Sequence, residues 1–63
     1  MKVGDLVRDC DGILGIVTDL EMYFELIEDD DQVITVHLVT VYTFAEREEL
    51  IFFHNELEVL HHV

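Results

Sequence analysis

The ten-residue segment VITVHLVTVY, from Val33 to Tyr42, constrains the fold more than any other part of the sequence. Every residue in it except His37 and Leu38 is β-branched or aromatic, and such side chains favour extended backbone. Alternate residues of a strand point to opposite faces, and both faces of this segment are largely apolar. We therefore predict a strand that is covered on both sides, by a core on one face and by a partner on the other.

Two further strands are predicted before this segment. Val3 to Asp9 forms a short strand entered through a Gly-Asp turn, and Ile13 to Thr18 forms a second strand rich in β-branched residues. From Leu20 to Leu26, apolar and polar residues alternate with a period of two, which indicates that this strand continues with one face buried.

A β-bulge is predicted within the second strand. Val17 and Leu20 have opposite parity in the sequence, so an unbroken strand would direct them to opposite faces. If both point inward, the chain must bulge or bend near Thr18-Asp19.

The remaining segments complete five strands joined by short connections. Glu28 to Gln32 is the expected hairpin loop. Thr43 to Glu49 contains a capping-box pattern and is compatible with a short helix. However, a helix here would not bring apolar residues together along one face, so we favour a turn. The other predicted elements are a strand from Leu50 to His54, a tight or 3-10 turn at Asn55-Glu-Leu57, and a last strand from Val59 to Val63.

Length and charge limit the classes of function. Sixty-three residues make one domain, residues 1–63, and the single cysteine, Cys10, cannot form an internal disulfide. Fifteen acidic residues oppose three basic ones, for a formal charge of −12, which argues against contact with nucleic-acid phosphates or anionic membranes. Since neither a disulfide framework nor a signal peptide is evident, we expect a cytoplasmic protein.

All three glycines lie in the first quarter of the chain, at positions 4, 12 and 15. The stretch Gly4-Asp-Leu-Val7 followed by Gly12-Ile-Leu-Gly15-Ile-Val17 resembles the entry hairpin of SH3-like barrels, particularly the KOW type. Glycine permits a positive φ and a close approach of two strands, both of which a small barrel requires.

The carboxyl-terminal part carries a second resemblance. Phe52 to Leu60, FFHNELEVL, is similar to the closing unit of small SH3-like proteins common in phage genomes, which are mostly uncharacterised. Together the two resemblances imply an all-β, small five-stranded SH3-like barrel with room for one 3-10 turn. KOW domains that touch RNA are basic at the contact, and this chain is acidic, so the resemblance implies the fold and not RNA binding.

Candidate metal sites are few. Asp9-x-Asp11-Gly12 and the acidic run Glu28 to Asp31 offer oxygen ligands, but a complete Ca²⁺ loop is missing, so solvated turn charge is the favoured interpretation. Four histidines, His37, His54, His61 and His62, lack the spacing of a zinc motif and are expected at the surface or at an interface. We predict neither a metal nor another cofactor.

Catalysis is not expected. The chain contains no serine, so a serine-based triad cannot form, and Cys10 has no recognisable histidine partner. The sequence therefore predicts that the protein is not an enzyme.

The predicted function is protein interaction or assembly. An outward apolar strip, with Tyr23, Val39, Val41 and Phe53 as candidate interface residues, is expected to bind a second copy of the chain or a basic protein partner. The alternative is an acidic nucleic-acid mimic that occupies the basic groove of a DNA-binding protein. A mimic needs carboxylates along one elongated face, whereas an assembly module needs a contiguous apolar patch.

Overall fold

A computed structural model describes the backbone of residues 1–27 and 32–63, and the side chains of residues 1–21 and 37–63. This part of the chain forms five antiparallel strands and one 3-10 turn, which confirms the all-β prediction. The elements are β1 (Leu6–Asp9), β2 (Leu14–Ile27), β3 (Gln32–Thr43), β4 (Glu48–Phe53), the 3-10 turn (His54–Glu56) and β5 (Leu57–His61).

The five strands form a single sheet in the order β4-β3-β2-β1-β5. Strands β4 and β5 are its two edges, and the sheet is not closed, so the predicted closure into a barrel is not found in the described residues. The strand lengths account for this difference. β2 and β3 have 14 and 12 residues, but β1, β4 and β5 have only 4, 6 and 5. The short strands cannot cover the long pair along its whole length.

The unmatched length of β2 and β3 forms a hairpin arm, defined here as residues 20–27 and 32–37. β2 pairs with β3 as far as Ile27 and Gln32, but β1 pairs only with residues 14–16 of β2 and β4 only with residues 38–43 of β3. The extents of 39 × 22 × 18 Å reflect this projecting ribbon. Of the predicted loop from Glu28 to Gln32, Gln32 belongs to β3 and the rest lies outside the described residues.

A bulge interrupts β2 where the sequence predicts one. The register between β2 and β3 shifts between Val17 and Asp19, which leaves Thr18 as the additional residue. Val17 lies opposite Val41 and Leu20 lies opposite Val39, and both partners are core residues, so Val17 and Leu20 share the inner face as expected. Val17 is fully buried, whereas Leu20, farther along the strand, is 40% exposed. The bulge bends β2 at the junction between the body of the sheet and the arm.

The core lies against one face of the sheet. Among the described side chains, it consists of four buried valines, Val7, Val17, Val39 and Val41, with Phe52, Leu57 and Val59 packed against them. A core built mainly from valine is small, since each buried side chain of this size contributes about 1.5–3 kcal/mol. The fold therefore depends on every one of these contacts.

Glycine is required at two places for different reasons. Gly4 has a φ of +98°, and its N–H donates to the Val17 carbonyl at 2.8 Å, which ties the entry turn to β2. Gly15 lies opposite Thr43 where β2 pairs with β3, and a Cβ there would overlap Val41 Cγ1 and lie 2.5 Å from the carbonyl oxygen of Tyr42. The glycine cluster thus serves the positive φ and the close strand approach expected from the sequence.

The connection between β3 and β4 is a turn, as favoured, and not a helix. Arg47 adopts a φ of 56°, and its N–H donates to the Thr43 carbonyl at 2.9 Å. The Thr43 hydroxyl donates to the Glu48 carbonyl at 3.0 Å and joins the two strands at the turn. The predicted turn after β4 is also confirmed, as a 3-10 turn that begins at His54, one residue before the predicted position.

Candidate interaction surface

The outer face of β3 and β4 carries a row of largely apolar side chains, called here the outer strip. Because Val39 and Val41 point into the core, Leu38, Thr40 and Tyr42 lie on the opposite face of β3. On β4, Phe52 packs against the core, so the alternation of the strand directs Ile51 and Phe53 outward. The register places Phe53 beside Leu38 and Ile51 beside Thr40. The five residues Leu38, Thr40, Tyr42, Ile51 and Phe53 therefore form one surface.

The large members of the outer strip are exposed to solvent. Ile51 is 66% exposed, Phe53 41% and Tyr42 37%. Phe44 extends the strip at the end of β3, where its ring meets the Tyr42 ring edge to face with centroids 6.3 Å apart. Single exposed apolar residues are common, whereas a group of them on one face is a general feature of interaction surfaces.

The four predicted interface residues occupy different environments. Val39 and Val41 are 0% and 2% exposed, so the expectation that they face outward is wrong. Both side chains lie on the inner face of β3, where they pack with Val7 and Val17 in the core. Phe53 is exposed, as expected, and belongs to the outer strip. The side chain of Tyr23 lies outside the described side chains.

Asp5 joins the segment before β1 to the carboxyl-terminal segment through its carboxylate and to β2 through its backbone. The side chain of Asp5 is fully buried. Its Oδ2 accepts the N–H of Lys2 at 2.8 Å, and its Oδ1 accepts the N–H of Val63 at 3.0 Å. His62 Nδ1 lies 3.5 Å from Oδ2. Backbone groups of Asp5 also join it to Lys2 and to Val17. We call this arrangement the Asp5 clamp.

The Asp5 clamp favours the ionised carboxylate. The hydrogen bond from the Val63 N–H is the main cause that holds the pKa of Asp5 below its ordinary value of 3.8, although burial opposes it. The Lys2 N–H and a protonated His62 lower the pKa further. This clamp was not predicted from the sequence, although the Gly4-Asp5 turn is a signal for it, because a short polar residue after a glycine turn is well placed to accept backbone N–H groups.

The carboxylate of Asp9 serves the turn between β1 and β2. Its Oδ1 accepts the N–H groups of Asp11 and Ile13, at 2.9 and 2.8 Å. The backbone N–H of Asp9 donates to the Ile13 carbonyl, and that of Gly12 donates to the Asp9 carbonyl. This geometry agrees with the favoured interpretation of Asp9-x-Asp11-Gly12 as a turn. The acidic run Glu28 to Asp31 lies outside the described residues.

The histidines are divided between two places. His37 and His54 meet edge to face with ring centroids 5.2 Å apart, and the backbone N–H of His37 donates to His54 Nδ1 at 3.4 Å. His62 faces Asp5, and His61 is exposed on β5. Among the side chains of residues 1–21 and 37–63, no group of three or more His, Cys, Asp and Glu is arranged to hold a metal ion.

Ion pairing in the described part of the chain is sparse. Arg8 on β1 and Glu58 on β5 form an exposed ion pair at 2.7 Å, across the register that joins these strands. The other two basic residues, Lys2 and Arg47, leave most of the acidic side chains without a cation. An exposed ion pair contributes only about 0–1 kcal/mol to the free energy of unfolding. The electrostatics of the surface are therefore dominated by negative charge that has no cationic partner.

Comparison with known proteins gives no relative. No family model matches the chain, and neither a curated protein nor a solved structure matches it. The described residues enclose no pocket. They also contain no helix with the length and apolar character needed to pass through a bilayer. Any proposal for function therefore depends on the exposed surfaces.

Proposed function

We propose that this protein is a small interaction module that self-associates through the outer strip of β3 and β4. The carrying observation is that Ile51, Phe53 and Tyr42, all substantially exposed, share one face of two paired strands. Burial of this apolar surface against a second copy is favourable by about 25 cal/mol per Å² before the costs of association.

The strand arrangement supports the resemblance to SH3-like domains. The five strands and the 3-10 turn between β4 and β5 match the number of elements that the resemblance implies, but the sheet is open where the resemblance implies a closed barrel. Domains of this size often act by binding other proteins, but a shared fold does not define a function. The proposal therefore depends on the outer strip and not on the fold.

The size and charge of the surface set the expected strength of association. A standard interface buries about 800 Å² on each partner, which is more than five side chains supply, so we expect a weak and reversible dimer. Each copy carries a charge of −12, so association brings like charges together. Salt screens this repulsion over about 8 Å at physiological ionic strength, and added salt should therefore strengthen the dimer.

A contiguous apolar strip favours this proposal over the nucleic-acid mimic. A mimic requires carboxylates spaced along one elongated face, and its target surface is basic and polar. The outer strip has the opposite chemistry, since three of its five members are large apolar or aromatic residues with 37–66% exposure.

Sedimentation velocity over a range of protein concentrations, at low and at high salt, tests the proposal. The expected result is a monomer–dimer equilibrium that shifts toward dimer with concentration and with salt. Ile51→Asp should abolish the dimer. Val3→Asp is the matched control, because Val3 is 56% exposed, lies away from β3 and β4, and the substitution adds the same charge. A monomer under every condition, or equal effects of the two variants, would refute the proposal.

A further inference from the structure

The hairpin arm leaves strand edges without a neighbour. Within the described residues, β1 pairs with β2 only at positions 14–16, and β4 pairs with β3 only at positions 38–43. Residues 20–27 therefore have β3 on one side and no described strand on the other. A two-stranded ribbon is marginally stable in water, and its free edges are templates for a further strand.

The backbone hydrogen bonds identify which groups face the free edge of β2. The N–H of Leu20 donates to Asp19 Oδ1 at 2.9 Å and not to β3. Because alternate residues in an antiparallel strand direct their N–H and C=O groups to the same edge, Met22, Phe24 and Leu26 direct theirs to that edge as well. We call this row, residues 20–26, the β2 edge.

The edge of β3 is shorter and begins with a group that already has a partner. The N–H of His37 donates to His54 Nδ1, so residues of the same parity in β3 turn away from β2. Beyond His37, only Thr35 and Val33 continue this row, whereas three residues continue the row on β2 beyond Leu20. The β2 edge therefore offers the longer template.

The charged residues in the sequence around the β2 edge are all acidic. Asp19, Glu21 and Glu25 lie in the strand, and the run Glu28 to Asp31 follows it. No lysine or arginine occurs in the sequence between Arg8 and Arg47. A second copy of this chain would bring acidic residues opposite acidic residues, and a nucleic acid would bring phosphates, so both are disfavoured.

We propose that the β2 edge binds an extended segment of another protein in which basic and apolar residues alternate, as an added strand. The main-chain groups of Met22, Phe24 and Leu26 supply the hydrogen bonds, as in other cases of strand addition. Glu21 and Glu25 are four residues apart, so the residues opposite them in an added strand share one face. Lysine or arginine at those two positions gives the charge complementarity that selects the partner. The main-chain groups of the β2 edge are distinct from the outer strip, whereas Glu21 lies opposite Leu38 and so borders that strip.

Titration with synthetic peptides, followed by fluorescence anisotropy, tests the proposal. The probe is a labelled decapeptide of alternating lysine and valine. The first control has the same lysine count with glycine and serine in place of valine, and the second is the lysine–valine peptide with N-methyl groups on the backbone of alternate residues. We expect the unmodified peptide to bind, with an affinity that falls as salt rises, and both controls to bind at least about tenfold more weakly. Equal binding of all three would show non-specific charge attraction and overturn the proposal.

Proline substitution on the two edges provides a matched pair of variants. Phe24 and Thr35 are register partners, and their N–H groups face opposite free edges of the arm. Neither proline therefore removes a hydrogen bond between β2 and β3. We expect Phe24→Pro to weaken peptide binding about tenfold and Thr35→Pro to leave it unchanged. The reverse result, or no effect of Phe24→Pro, would contradict binding at the β2 edge.

Variants that remove charge test the location of peptide binding even if a proline variant fails to fold. Glu21→Gln with Glu25→Gln removes two charges beside the β2 edge, and Glu46→Gln with Glu48→Gln removes two charges at the turn between β3 and β4. The first pair should weaken peptide binding several-fold more than the second. Equal losses would overturn the assigned location. Self-association through the outer strip should be unchanged by the Phe24→Pro substitution, so failure of one proposal is distinguishable from failure of the other.

Discussion

Asp5 and Val63, 58 residues apart in the sequence, are joined by a 3.0 Å hydrogen bond from the Val63 N–H to Asp5 Oδ1. The same carboxylate accepts the N–H of Lys2 at 2.8 Å, and its side chain is fully buried. One aspartate therefore fastens the segment before β1 to the segment after β5. In a small sheet with two open edges, this clamp replaces part of the cohesion that a larger core would supply.

The Asp5 clamp predicts a specific response to acid. The pKa of Asp5 is lower in the folded protein than in the unfolded chain, mainly because of the Val63 N–H. Such a group contributes stability that is fully present above the unfolded pKa of about 3.9 and is lost as the pH falls through the folded value. Asp5→Asn should therefore lower the melting temperature at pH 7 and reduce its decline below about pH 5.

Circular dichroism melts between pH 2 and 8 measure this difference, with Asp11→Asn as the control. Asp11 is exposed, and no hydrogen bond to its carboxylate occurs among the described contacts, so its substitution should leave the pH profile close to that of the parent protein. If Asp5→Asn and Asp11→Asn give the same profile, the clamp does not govern the acid response.

The close approach at Gly15 predicts that a single methyl group destabilises the fold. Gly15→Ala places a Cβ against Val41 and the Tyr42 carbonyl, and overpacking of this kind costs about 1–3 kcal/mol. For a domain of this size, that corresponds to a loss of roughly 4–8 °C per kcal/mol in the melting temperature.

Gly12→Asn is the control for Gly15→Ala. A Cβ at Gly12 meets no atom within 4 Å, and asparagine tolerates the positive φ of 86° found there better than other residues with a Cβ. Chemical denaturation should show the smaller loss for Gly12→Asn. A larger loss of stability for Gly12→Asn than for Gly15→Ala would mean that β2 and β3 approach each other less closely at Gly15 than the structure shows.

The valine core predicts that shortening a single core side chain lowers the free energy of unfolding markedly. Val17→Ala removes two methyl groups from a fully buried site, which costs about 1.6 kcal/mol in transfer alone, with a further cost for the cavity. Val3→Ala, at a position that is 56% exposed, should change the free energy of unfolding by less than about 0.5 kcal/mol. Urea denaturation of the two variants measures both values, and equal values would argue against the core as assigned.

The charge of −12 predicts that salt stabilises the folded chain. Fifteen acidic residues against three basic ones repel one another in a compact state, and sodium chloride screens that repulsion. We expect the melting temperature to rise steadily from low ionic strength to about 0.5 M salt, at which the repulsion between charges reaches only a few ångströms. A flat or falling melting temperature over this range would show that self-repulsion is not a significant term.

Much of the fold could be predicted from local sequence. The β-branched segment from Val33 to Tyr42 predicted β3 almost to its bounds, because alternation and side-chain shape act on neighbouring residues. The bulge near Thr18 was predicted because Val17 and Leu20 have opposite parity in the sequence. The turn before β4 was predicted because a helix there would lack an apolar face. Each of these features depends on residues that are close in the chain.

The candidate surface was less predictable. Phe53 was identified as a surface residue, but Val39 and Val41 were assigned to the wrong face. Both faces of β3 are apolar in sequence, so alternation by itself could not show which face meets the core. Ile51, the most exposed member of the outer strip, became identifiable only once β4 was placed beside β3.

The sequence by itself determined the all-β class, the order of the turns, the positions that need glycine and the net negative charge. Those properties follow from backbone preferences and from charge, which each residue carries in any fold. Only the tertiary structure decided that the sheet stays open, that Asp5 is buried between two distant segments, and that β2 and β3 continue as an arm. Such features depend on which strands become neighbours and how far their lengths match, and that matching is a property of contacts between residues far apart in the chain.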